Sequence, residues 1–511
     1  MLTRRSLLTK VPLGVAGAAI AQNFGGRARA ADADSITIAY PVDVPNWDPV
    51  SSGQGPSAPM HKSVFDMPHS FRPDLSVGPS ISTQTRWLDD RSMVLQLTIR
   101  DGVTFHNGDP LTSDDIKFTL QDRPAADKTL MVNSLWGPAR IKSIETPDRN
   151  TAIFHFATPY ASATSLLGSV PAYITPRKYY ERVGREGFME NPIGSGPYRL
   201  VDYQRNSRIV LEAYDKYWAG PAKIKKVTFQ VIREPSVRIA AIQSGQVDFI
   251  HNISVREVQR LGALPNLVAA LHPINVVVLI HMVNKGIYKD QNLRLAMHHA
   301  IDKAALSTAF FGGRAQPLST WNGEGPAFDP DFKFEYSQQK AKDLLAKSGY
   351  SLDNPAKIKF GYVNGSFAND SDIARTIVQM WKQVGIDATL EGIDSAQYFT
   401  LSNSDRLEMP VMFAWTNSSG DPELYTGLIL DPRKVNSVWR SDDIPPRLDP
   451  LLAESNIEKR MAGYRALDRW TVEQGYSLPV LRSTATVVHS KRINYAPFAN
   501  GWALPYYWSL N

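Results

Sequence analysis

The sequence predicts an α/β protein built from two or three domains. Strand-like and helix-like stretches alternate along the chain, and its 511 residues exceed what one hydrophobic core organises. The run His272–Asn284 (HPINVVVLIHMVN) is also continuously apolar and β-branched, as a strand buried on both faces requires.

Each element has a local reason. Ser35–Tyr40 alternates polar and apolar residues like an opening strand, and a Ser/Gly/Pro loop at Ser51–Pro59 follows Asn46-Trp47-Asp48-Pro49. Leu95, Leu97 and Ile99 alternate as in a half-buried strand, and Asp101-Gly102 turns the chain. Val103 and Phe105 resume the alternation until Asn107-Gly108. Thr112 is placed to cap a helix whose first turn carries Asp114 and Asp115, where acids favour the helix dipole, and Ile116 and Leu120 begin its apolar face. Ala152–Phe156 reads as a strand and Ser162–Leu167 as a helix. Gly194-Ser195-Gly196-Pro197 is a turn into a strand, and lacks the Gly-Lys-Ser/Thr ending of a phosphate-cradling loop. Lys226–Ile232 is a strand, and a helix over Arg238–Gln243 stops at Gly245. Helices are expected at Asn292–Lys303, Ser337–Gly349 and Asp372–Val384, and strands at Ile386–Leu390 and Pro410–Trp415.

The first thirty residues read as an export signal. Thr3-Arg4-Arg5-Ser6-Leu7-Leu8 is a twin-arginine pattern, an apolar Gly/Ala-rich run spans Val11–Ala21, and Ala28-Arg29-Ala30 offers a cleavage site, so the mature chain is expected to begin at Ala31. That run is too short for a permanent membrane anchor. Arg4, Arg5, Lys10, Arg27 and Arg29 fall in this segment, which has no acids. Of 56 basic residues 51 then remain against 50 acidic ones, a net of +1, and nucleic acid as a partner loses its support. The chain has no cysteine, which excludes disulfides, thiolate metal sites, cysteine nucleophiles and a lipoprotein anchor.

A catalytic reading finds no residues to stand on. His298 and His299 are the adjacent pair among ten histidines, and neighbouring helix positions diverge by about a hundred degrees, so they do not share one metal site. No His-Glu-x-x-His, Gly-x-Ser-x-Gly or dinucleotide-binding glycine pattern occurs. Asp114, Asp115 and Asp302 read as structural acids. No cofactor and no metal are expected. Aromatics form a tenth of the chain, with 11 tryptophans, a surplus that suits a cleft gripping a ligand on ring faces.

The window Leu97–Leu120 (LTIRDGVTFHNGDPLTSDDIKFTL) resembles the signature of family 5 extracellular solute-binding proteins, the receptors of bacterial ABC importers for dipeptides, oligopeptides and nickel. Gly194–Leu200, Tyr214–Trp218 and Gln243–Phe249 continue the resemblance in order, as do Asn292–Lys303 and Ser337–Gly349. The resemblance implies a type II periplasmic-binding-protein fold in its large three-subdomain form. Lobe I would take 31–275 and 486–511, with an extra subdomain at about 60–190, and lobe II would take 276–485. His272–Asn284 and Tyr476–Val488 would cross between them as the hinge. It further implies a monomeric periplasmic receptor that closes on a polar organic solute and delivers it to a permease and its ATPase. A peptide-like or amino-acid conjugate stands slightly ahead of an oligosaccharide, and a periplasmic hydrolase is the competing class.

The resemblance also nominates site residues. Trp415-Thr416-Asn417-Ser418-Ser419-Gly420-Asp421-Pro422 is similar to the turn of dipeptide receptors whose acid accepts the ligand's α-ammonium, and that position is Ser418 here. A hydroxyl cannot offset a desolvated ammonium, which argues against ordinary dipeptides. Asp421 either substitutes for that acid or holds its own turn. Trp415 is the foremost candidate for stacking on ligand, with Trp136 in the loop Asn133–Pro138 second, and Ser52 represents the small-residue loop Ser51–Ser57. Arg375, Arg406 and Arg440 are unranked candidates for an anionic group.

Overall fold

The computed structural model describes residues 33–52, 57–74, 76–417, 420–424, 426–434 and 437–511. The export segment and Ser418 lie outside them. Among the described residues no helix is long and apolar enough to cross a membrane.

An eleven-stranded sheet runs through the chain. Ser35–Tyr40 lies parallel to Lys226–Val231 on one side and Phe249–His251 on the other. Arg208–Ala213 and the edge strand Tyr198–Gln204 follow on the first side. Beyond Phe249–His251 come the two longest strands, Ser477–Ser490 and Leu267–His281, then Val411–Thr416, Ala356–Val363 and Ile386–Ile393. The long strands run antiparallel to each other with a register shift between Pro273 and Val277. Proline has no N–H to give to a ladder, so a break beside Pro273 is expected on chemistry alone.

That break coincides with a division of the core. Val277–Ile280 and Leu478, Val480 and Leu481 join a cluster with Phe360, Ile377 and Trp381. On the other side, Ala485 and Val487 join one with Ile38, Phe65, Trp136 and Phe229. The sheet is therefore continuous while the hydrophobic clusters are separate, and the chain between them narrows to two strands near 274–276 and 482–484. The fold is two-lobed α/β, as expected. A four-stranded antiparallel sheet of Ser82–Trp87, Val94–Ile99, Thr151–Phe156 and Ile141–Asp148 feeds Leu95, Leu97, Ile144 and Phe154 into the same cluster as Ile38.

Several local expectations are refined. Thr112 caps Ser113–Lys117, its backbone N–H donating to Asp115 Oδ2 at 2.8 Å, which is the structural role expected of that acid. Val103 and Phe105 are buried without forming a strand, because the tight turn leaves only an isolated bridge between Thr104 and Pro110. Gly194 and Gly196 are required by close approach rather than by unusual dihedrals. A Cβ would stand 2.0 Å from the Val64 carbonyl oxygen at the first and 2.6 Å from its carbonyl carbon at the second. The helix expected over Asn292–Lys303 is two helices, Gln291–His299 and Lys303–Phe311, because Asp302 caps the second by accepting from the Ala305 N–H at 2.9 Å.

Candidate functional site

The narrow waist between the clusters carries the polar groups that the broken ladder leaves over. Asn275 donates its N–H to the Ala499 carbonyl at 2.5 Å, and its own carbonyl accepts from the Asn417 N–H at 3.2 Å. Asn417 then donates from Nδ2 to the Asp421 carbonyl at 2.9 Å, which draws the turn after Val411–Thr416 back onto the waist. Gly420 has φ of +67°, a left-handed conformation that glycine adopts without strain. Arg482 Nε donates to the Ile274 carbonyl at 3.0 Å, meeting an acceptor beside the register shift.

Trp415 stands at the end of its strand, half-buried, with Nε1 donating to the Leu424 carbonyl at 3.1 Å. Its ring packs edge-on to Phe413 and Phe399, at 5.9 and 6.5 Å between centroids. The register pairs Val277 with both Trp415 and Arg482. Residues directly opposite in an antiparallel pair share a face, so Trp415 and Arg482 flank Val277 in one row.

The remaining nominations fare differently. Asp421 is 3 % exposed, and both its oxygens meet the Arg460 guanidinium at 2.7 Å. Its Oδ1 also accepts from the Glu423 N–H at 3.0 Å. Burial works against the Arg460 charge, yet Asp421 and its neighbours outweigh it, and the guanidinium is held above the usual arginine range. Asp421 is thus committed to its own turn and has no edge for a ligand ammonium. Trp136 is fully buried against Phe154 and Tyr160, 6.2 and 5.7 Å away, and cannot stack on a ligand. The Trp before Gly-Pro fills a core, in the cluster that also holds Phe154 and Tyr160. Ser52 ends the helical turn Pro49–Ser52, and its side chain lies outside the described residues, as does Ser418.

Arg375 is paired with Asp372 at 2.9 Å on an exposed helix, Arg406 donates to Ser404, and Arg440 meets the Pro432 carbonyl and Asp405. His298 and His299 both stack on Phe334, at 3.6 and 4.5 Å, and among the described residues no three His, Cys, Asp or Glu side chains group as metal ligands. Sequence reasoning missed Arg482 and Arg460. The first had a signal, a lone arginine inside the apolar strand segment Ser477–Val488; the second sits in an ordinary charged helix and had none.

The two lobes touch beyond the waist. The Ala161 N–H donates to the Leu452 carbonyl at 3.0 Å, Ser92 Oγ to the Ala453 carbonyl at 3.2 Å, and Arg140 stands 3.8 Å from Glu423. A cavity of about 700 Å³ beside Trp47, Tyr179 and Arg199 is lined by residues of the first lobe alone, so it is not the space these contacts close.

The family described as bacterial extracellular solute-binding proteins, family 5, matches residues 76–437. Heme-binding protein A of Haemophilus influenzae is 22% identical over 80% of this chain and 79% of its own length. The dipeptide-binding protein of Escherichia coli is 24% identical over 76% and 77%. The structure of NikZ from Campylobacter jejuni in complex with Ni(L-His) superposes with a TM-score of 0.80 at 18% identity, covering 93% of this chain and 99% of that one, a likeness of fold.

Proposed function

From the premise that this chain belongs to family 5 of the bacterial extracellular solute-binding proteins, whose members are binding proteins, we propose that it captures a peptide-like polar solute by lobe closure for a membrane permease and its ATPase. What carries this reading is the pair of long strands joining two separate hydrophobic clusters across a broken register. A waist of two strands bends at low cost, while each lobe stays packed around its own core. Residues 31–275 with 486–511 and residues 276–485 are the two bodies that move. Export by the twin-arginine route to the periplasm and action as a monomer belong to the same reading. Peptide-like chemistry is favoured because, of the two curated relatives named above, the dipeptide-binding protein is the more identical, at 24% against 22%. The oligosaccharide alternative has no counterpart among the relatives named above.

In this reading Trp415 presents its half-buried ring to the solute, and Ser418 offers a hydroxyl rather than a charge. The chain supplies binding and geometry and carries out no reaction. The test is a thermal-shift screen of di- to tetrapeptides and amino-acid conjugates on protein unfolded and refolded to strip endogenous ligand, followed by small-angle scattering. A hit that raises the melting temperature and shrinks the radius of gyration supports capture by closure. Recovery of that hit chemically changed would make the protein a hydrolase instead.

A further inference from the structure

We propose that a cavity of the first lobe, at the end of the sheet away from the waist, binds a small flat organic carboxylate between Lys62, Ser80 and a wall of aromatic rings. This second site is separate from the cleft and does not depend on what the cleft captures. The cavity holds about 240 Å³, and Lys62, Ser80, Tyr217, Trp218, Tyr506 and Tyr507 line it. Strand register fixes where it lies. Ser35–Tyr40 runs parallel to Lys226–Val231 and to Phe249–His251, and along the latter Phe249 pairs with His489 and His251 with Val487. The C-terminal ends of these parallel strands therefore point toward the waist at 482–484. Tyr217 and Trp218 belong to the connection that precedes Lys226, at the opposite end.

The polar groups left over in this cavity are donors. Lys62, on the helix Ala58–Val64, has a side chain 12 % exposed, and its ion-pair partner Asp66 stands at 4.0 Å, beyond hydrogen-bond reach. Asp66 is already served by Trp218 Nε1 at 3.0 Å, Tyr217 Oη at 3.2 Å and Ser195 Oγ at 3.4 Å. The Lys62 ammonium thus keeps its donors without a hydrogen-bond acceptor among the described residues. Ser80 is 2 % exposed, and its hydroxyl also has no hydrogen-bond partner among them. Arg100 adds positive charge behind the wall, its guanidinium 4.7 Å over the Trp218 ring and its Nε 3.5 Å from the Ser80 carbonyl. Two cations then outweigh the single acid, and an ammonium and a hydroxyl with nothing to donate to are matched by an anion. Burial pushes the Lys62 ammonium down despite Asp66, a cost that a bound carboxylate offsets.

The rest of the lining sets the body of the solute. Tyr217 lies 5.4 Å from Trp218 and 5.2 Å from Tyr506, and Tyr507 extends the row 5.2 Å beyond Tyr506. The hydroxyls of Tyr217 and Tyr506 are committed to Asp66 and to the Ala219 carbonyl, so these two residues offer ring surface, which favours a flat apolar partner. The volume falls below the roughly 300–1,000 Å³ of sites for drug-sized ligands, which limits the solute to about the size of benzoate.

The probe is benzoate, titrated calorimetrically into the full mature chain beside benzamide, which keeps the ring without the charge, and acetate, which keeps the charge without the ring. The expected result is one-site binding of benzoate, about tenfold or more tighter than either control. Lys62→Gln is expected to weaken it by about tenfold or more, and Asp66 keeps its three other donors, so the variant should fold. Ser80→Ala breaks no side-chain hydrogen bond within the protein and is expected to weaken benzoate about threefold to tenfold. Trp415→Ala, in the cleft, should leave benzoate binding unchanged. Benzoate that fails to bind, or binds no better than benzamide, overturns the proposal, and the cavity then holds only water around Lys62. Binding that survives both Lys62→Gln and Ser80→Ala, or that falls only in Trp415→Ala, places the anion elsewhere and overturns it as well. The receptor reading of the cleft stands in each case.

Discussion

Two acids stand near the waist, and arginines hold them in opposite ways. Asp421 and Arg460 are each 1 % exposed as side chains, and the pair closes on itself with two parallel contacts of 2.7 Å. Glu324 meets Arg482 through one oxygen and is 35 % exposed. The first pair has spent every strong acceptor inside the turn, so its value is to fix Gly420–Leu424. The second leaves the acid's side chain partly exposed beside a buried arginine. The difference teaches that a charge in the right loop is a poor guide to a binding residue until its partner is known.

The comparison breaks most visibly in stability. Arg460→Met removes one partner of a buried pair and strands Asp421, so the expected loss is about 3–5 kcal/mol in denaturant unfolding. Glu324→Gln leaves an amide oxygen beside the buried Arg482 and is expected to cost less, about 1–3 kcal/mol. Equal losses would show that both pairs are structural. The two tryptophans give a parallel contrast. Trp136→Ala empties a fully buried site and is expected to cost about 3–5 kcal/mol while leaving the relative affinities of different ligands unchanged. Trp415→Ala is expected to cost less stability and to weaken binding of a captured peptide about tenfold in calorimetry.

A third acid sharpens the contrast, because it has no arginine. Asp468 is fully buried and accepts from Thr426 and Asn322. Burial pushes its carboxyl up from 3.8 to about 7 against those hydrogen bonds. In the unfolded chain the acid ionises near its ordinary value, so below pH 3.8 both states are protonated and the group is neutral to stability. As pH rises from about 4 to 7 the unfolded state loses its proton first, and folding is disfavoured progressively up to a plateau. Asp468→Asn removes this dependence. Subtracting the two stability curves between pH 4 and 8 should give a variant that gains on the wild type up to about pH 7 and runs parallel above it.

The fold was legible where local chemistry repeats a pattern. The capped turn at Thr112, the glycine stops at Gly245 and Gly349, and the long apolar strands all follow from residue type and spacing, and the structure has them. The break at Asp302 was less so, because a capping acid in mid-helix looks like any other charged position until its Ala305 N–H is seen. The site was only partly legible. The strand leading to Trp415 was expected to within a residue of Val411–Thr416, yet the fate of Asp421 depended on Arg460, thirty-nine positions later in a helix with no distinguishing pattern. Trp136 failed for a related reason. A tryptophan next to Gly-Pro reads as a loop ring, and only the sheet behind it, carrying Phe154, shows that the loop folds inward.

The smallest expected effect lies at the contacts between lobes away from the waist. Arg140 stacks over Tyr160 at 4.5 Å and stands 3.8 Å from Glu423, which Arg460 also meets at 3.5 Å. It thereby extends the closed Asp421–Arg460 pair across to the first lobe. The pair with Glu423 is long and shares its acid with a second arginine, so it contributes under about 1 kcal/mol to the closed arrangement. Arg140→Ala removes it without opening a core, since Arg140 is only partly buried. A ligand bound between lobes sees an affinity reduced by the fraction of closed, competent protein, so this variant is expected to weaken capture by no more than about fivefold. The loss should appear mainly as faster dissociation, with the unfolding midpoint nearly unchanged. A loss of a hundredfold would place Arg140 on the ligand itself, and it would then stand apart from the closed Asp421–Arg460 pair in the comparison.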